Sequence, residues 1–245
     1  MYETQERINS IIVVAAPYWA GEAEVVRTYF SRPRSQAQDL FWLRAQAYKE
    51  ARPFRDLPKD LQVEFLRTGA TRDNPHTAET AQRIIEETRH FWLLADLIAN
   101  LFGVTVSLTD TMALPEDRTL QELRAAFKVQ GGELERAAVV FTEGGGGAMF
   151  HVLSCLDGGK LEQEIASVFK IIAAEEVPHG AMEIHAVARC AKSEADWERV
   201  RMIVHTISRQ RLLMRNEMFG FPLSVARLQE VDAGQIQPWS VSVAL

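Results

Sequence analysis

Apolar residues recur every three or four positions along four long stretches of this chain, a spacing that only an α-helix turns into a single face. Ile8, Ile12, Ala15, Trp19, Glu22, Val26 and Tyr29 form the first such stripe. A second helix is predicted over about 77–102, with Ile84, Glu87, His90, Leu94, Leu97 and Leu101 on its face and Gly103 as its stop. A third, over about 133–156, aligns Val139, Glu143, Gly146, Phe150 and Leu153, and a fourth, over about 161–191, aligns Ile165, Phe169, Ile172, Glu176, His179, Glu183 and Ala186. A fifth helix, from Glu194 to about Met218, is capped by Ser193. Its arginines, Arg199, Arg201, Arg209, Arg211 and Arg215, predict a solvated basic face on a helix packed outside the bundle.

These elements predict an all-α chain: one domain over 1–245, a four-helix bundle with additional helices. An irregular insert, 31–74, separates the first two bundle helices and carries a helix over about 36–51 and a shorter one over about 59–68, punctuated by Pro33, Pro53 and Pro58. Asp157-Gly158-Gly159 joins the third and fourth helices too tightly for anything but antiparallel neighbours. The tail, 220–245, shows no helical period and is expected to drape irregularly over the surface. A net charge of −6 argues against a nucleic acid or an anionic membrane as partner. No apolar run reaches the ~18 residues of a membrane span, and no signal peptide is evident at the start, so a cytoplasmic location is expected. Cys155 and Cys190 are expected at opposite ends of the bundle, beyond disulfide reach, as buried small apolar residues.

Each of the four stripes carries a carboxylate, and burying an unpaired carboxylate is prohibitive unless it is neutralised, paired or bound to metal. Two stripes also carry Glu-x-x-His: Glu87-Thr88-Arg89-His90 and Glu176-Val177-Pro178-His179. Residues three apart share a helix face, so each copy aims a carboxylate and an imidazole at one point. With 6 His and 23 Glu in 245 residues, roughly half a copy is expected by chance, so the weight falls on the helical context. Four carboxylates and two imidazoles would hold two divalent ions near charge neutrality. Glu22 lies on the first stripe and is the expected first-helix ligand, with Glu50 on the insert helix and Glu24 as alternatives.

This arrangement resembles the ferritin-like di-iron carboxylate superfamily. Glu86-Glu87-Thr88-Arg89-His90 resembles that family's second-helix motif, Glu143 in Phe141-Thr142-Glu143-Gly144 its lone third-helix carboxylate, and Glu175-Glu176-Val177-Pro178-His179 its fourth-helix motif. Gly21-Glu22-Ala23-Glu24, with Arg7-Ile8-Asn9 upstream, is similar to the aldehyde-deformylating branch, although the gap between the two segments differs and no branch is assigned. The resemblance implies a ferritin-like bundle whose ligands are Glu22, Glu87, His90, Glu143, Glu176 and His179. It implies Glu86, Arg89 and Glu175 as supporting groups beside them, while Glu183, one heptad beyond Glu176 on the same stripe, is open as a supporting group, a seventh ligand or a salt-bridge partner for Arg89. Gly144 to Gly147 are costly in a helix interior: either the third helix breaks there into a loop, or the run permits a bulge that re-aims Glu143, or missing side chains open a substrate cavity lined by Gly146, Gly147, Phe91, Leu94, Met149 and Phe150.

The expected function is therefore that of an O2-dependent oxidase or oxygenase acting on a small organic substrate. It would hold two iron ions, or manganese, or one of each, and draw electrons from a reductase or ferredoxin unless the substrate supplies them. A monomer or small homo-oligomer is expected. The alternatives are a ferroxidase or iron-handling protein, which would form a large cage, and a non-catalytic helical partner subunit that binds no metal. His151, His185 and His205 lack partners at ligand spacing and are expected at the core edge or surface.

Overall fold

The computed structural model describes residues 2–53, 58, 62, 66, 75–142 and 147–240, without the side chains of 2–4, 75–80, 130 and 177–184. Among the described residues all regular structure is helical. In order these are α1 (Tyr2–Phe30), α2 (Gln36–Ala51), α3 (Pro75–Phe102), α4 (Pro115–Gln130), α5 (Glu133–Phe141), α6 (Gly147–Ser154), α7 (Lys160–Cys190), α8 (Glu194–Phe219) and α9 (Val225–Asp232). None of the described helices is long and apolar enough to cross a membrane. The chain divides into two compact units, one of residues Met1–Arg34 with Leu114–Leu245, the other of Ser35–Ala113.

In the larger unit α1 packs on α8, α6 and α9, while α7 packs on α5 and α6. Two of the predicted stripes supply part of its core. Ile8, Ala15, Trp19, Val26 and Tyr29 of α1 are buried with Ile165, Phe169 and Ile172 of α7. α1 runs unbroken through Pro17. A methyl group on Gly21 would lie 3.0 Å from Leu212 Cδ2, so α1 and α8 approach closely just where α1 carries Glu22.

α8 departs from expectation. Ser193 caps it in a reciprocal capping box with Asp196, and Gly220 ends it at φ +67°. Rather than lying outside with a solvated basic face, α8 packs against α1, α4 and α5, and Arg211 and Arg215 are buried with Ile203, Ile207, Leu212 and Met218. The reason is ionic: Arg215 Nε lies 3.0 Å from Glu22 Oε2 and Arg211 Nε 3.4 Å from Glu22 Oε1.

The tail also differs. After Ser224, which caps its first turn, it forms α9 instead of remaining irregular. Arg227 ties α9 to α1 by pairing with Glu24 at 2.7 Å, and Arg209 of α8 pairs with Asp232 at 3.0 Å. Eight residues hold too little apolar period to announce a helix, so tertiary pairing decides. Cys155 is exposed and Cys190 half-buried, where both were expected inside, and both are free.

In the smaller unit α2 packs against α3. Ser35 caps α2 through a box with Gln38. Gly103, at φ +67°, ends α3, and the following loop returns to α2, where Arg44 Nε donates to the Asp110 carbonyl at 2.6 Å.

Candidate metal centre

The buried stripe of α2 runs through Asp39, Leu43, Gln46 and Glu50, a 4-3-4 spacing that places two polar side chains deep inside at its C-terminal end. On α3 Glu87 and His90 share a face with Phe91, Leu94, Leu97 and Ile98, all buried. Packing of α2 on α3 brings Glu50, Glu87 and His90 together, so that one potential ligand atom from each lies within 4.8 Å of the others. All three are buried, His90 completely.

Their electrostatics follow from that burial. Glu50 Oε2 lies 3.5 Å from His90 Nδ1, and Arg83 Nε lies 3.8 Å from Glu87 Oε1. Burial opposes ionisation of Glu50, but the hydrogen bond and charge of His90, with Lys49 and Glu87 adding to them, hold its carboxyl below the usual range. The group is therefore two close carboxylates and an imidazole in a water-poor interior. This donor set could hold a metal ion, whose positive charge would offset the buried carboxylates.

Glu22, the ligand favoured by periodicity, is held elsewhere. Its carboxylate is fully buried between Arg211 and Arg215, and Glu50 is the carboxylate that joins Glu87 and His90. Burial pulls the Arg215 guanidinium below its ordinary value, Glu22 opposing and Arg211 adding to the effect. The other alternative, Glu24, is engaged by Arg227.

Of the remaining expected residues, Glu176 and Glu175 are half-buried on α7, which also carries positions 179 and 183. The side chains of His179 and Glu183 lie outside the described residues, as do Glu143 and Gly144 to Gly146 altogether. Glu86 is half-buried and accepts from Gln82 at 2.8 Å, and Arg89 is exposed. Phe91 and Leu94 are buried beside His90 on α3, while Phe150 and Met149 are buried on α6, Phe150 packing on Phe169 at 5.8 Å. Gly147 is exposed, with open space where a side chain would project. His151 and His185 are exposed, and exposed His205 hydrogen-bonds the Tyr18 hydroxyl at 2.8 Å.

Comparison with models of known families, with characterised proteins and with solved structures gives no match. The chemistry of the site must be argued from its own residues.

Proposed function

We propose that this chain is an O2-dependent di-metal oxidase or oxygenase of the ferritin-like type, acting on a small organic substrate. The observation that carries the reading is the buried convergence of Glu50, Glu87 and His90. It is half of a carboxylate-bridged centre: a lone Glu from one helix and Glu-x-x-His from its neighbour. The sequence repeats that pattern with Glu143 followed by Glu176-x-x-His179, and on that ground these three are assigned as the remaining ligands. In the larger unit the helices flanking position 143, α5 and α6, both pack on α7, which bears the second motif.

Such a centre, when loaded with iron or manganese and reduced, supplies redox electrons to O2. The residues do the rest. Glu50 and Glu87 would hold the ions as anions, and His90 would donate a neutral nitrogen. Phe91 and Leu94 exclude water beside them, which strengthens every electrostatic interaction in the site. A reduced electron-carrier protein or the substrate would provide the remaining electrons.

The test is metal content and O2 consumption after anaerobic loading with Fe2+. The expected result is at least one, and with both halves filled two, iron ions per chain, with O2 uptake that Glu87→Ala and His90→Ala abolish. A chain that retains no iron, or variants that consume O2 as fast as the parent, would overturn the reading.

A further inference from the structure

Glu50 is braced from within its own helix. Gln46, fully buried, lies one turn before Glu50 on α2, and its Nε2 donates to Glu50 Oε1. The opposite oxygen, Oε2, is the one turned to His90. Arg83 lies the same four residues before Glu87 on α3 and pairs with it by charge, its Nε 3.8 Å from Glu87 Oε1. We propose that Gln46 is a positioning residue, fixing Glu50 by its Oε1 so that Oε2 alone is presented to a divalent cation. The proposal rests on the metal reading above.

The physical case starts from the freedom of a carboxylate. The terminal torsion of Glu is broad and roughly two-fold, so an unbraced Glu50 could offer either oxygen or both. A donor on Oε1 removes that freedom in advance and lowers the ordering cost of binding. The choice of an amide is also specific. A lysine or arginine at 46 would cancel part of the charge a cation needs, and a glutamate would add a repelling acceptor. Only the NH2 of Gln46 can serve an ionised carboxylate, so its orientation is forced. Groups that orient a ligand from outside the coordination sphere typically change metal affinity about 10–100-fold when removed.

The test is titration of the metal-free full chain with Co2+, read by calorimetry and by the visible d–d absorption of the bound ion. Gln46→Leu removes the donor, and Gln46→Asn keeps the amide but withdraws it by one methylene. Both are expected to raise the Co2+ Kd about 10–100-fold and to alter the d–d intensity as Glu50 becomes free to bind through two oxygens. Helical circular dichroism should stay unchanged. In a Glu50→Ala background, Gln46→Leu should cause no further loss, because its effect runs through Glu50 alone. Equal affinity in parent and variants overturns the proposal, as does a loss that persists without Glu50 or a loss of helicity in both variants. A parent chain that binds no Co2+ at all overturns the metal reading, and this proposal with it.

Discussion

Substituting Glu22 by Gln separates its role from that of Glu50. Glu22 is the countercharge of two arginines in the larger unit: Arg215 is fully buried at 3.0 Å, and Arg211 is nearly so at 3.4 Å. Glu22→Gln preserves shape and removes the charge, leaving two buried guanidinium groups facing a neutral amide. Asp117, also buried, remains as partial compensation for Arg215. Removing one partner of a buried ion pair costs about 3–5 kcal/mol. For a chain of this size that corresponds to a Tm lower by about 6–20 °C. The assay is thermal unfolding followed by circular dichroism, repeated at about 1 M salt, where a surface pair would be screened but this one should not be. Co2+ affinity should stay within about threefold of the parent, less than 1 kcal/mol. A Glu22→Gln variant that keeps its Tm but binds Co2+ at least tenfold more weakly would refute the assignment and restore Glu22 as a ligand.

Two further outcomes follow from the geometry of the larger unit. Arg34 pairs with Glu162 and stacks on Phe30 at 4.6 Å. Although burial opposes it, the Arg34 hydrogen bond and charge, with local backbone N–H groups, hold the Glu162 carboxyl below its ordinary 4.5. Its stabilisation is therefore complete above that value and lost as pH falls through the lower folded value. Arg34→Ala should cost about 1–2 kcal/mol near neutrality, and unfolding from about pH 6 to pH 3 should show the gap to the parent narrowing to the stacking share. A gap independent of pH would remove Glu162 from the account. Gly220 ends α8 at φ +67° with nothing within 4 Å of an added methyl, so Gly220→Ala carries only backbone strain, about 1–2 kcal/mol by chemical denaturation, and no change there would refute a left-handed cap.

Helical period told which residues are inside but not what neutralises them. Sequence pattern gave α3, α7 and α8 to within about two residues of their observed ends, because burial and the 3.6-residue turn act along one helix. The partners of a buried charge come from elsewhere in the chain. Glu22 and Glu50 look alike in sequence, each a carboxylate on a buried stripe, and only the fold shows Arg211 and Arg215 of α8 beside the first and His90 beside the second. The same blindness put Arg211 and Arg215 of α8 in solvent, where Arg209 does lie, and left α9 as coil, since its stabilising pair, Arg227 with Glu24, spans nearly the whole chain. One sequence signal did point to Glu50. It precedes Glu87 by 37 residues, and Glu143 precedes Glu176 by 33, whereas Glu22 precedes Glu87 by 65. Spacing therefore carried information that stripe membership lacked: it favours Glu50, near the end of α2, while Gln46 beside it is legible only in the fold.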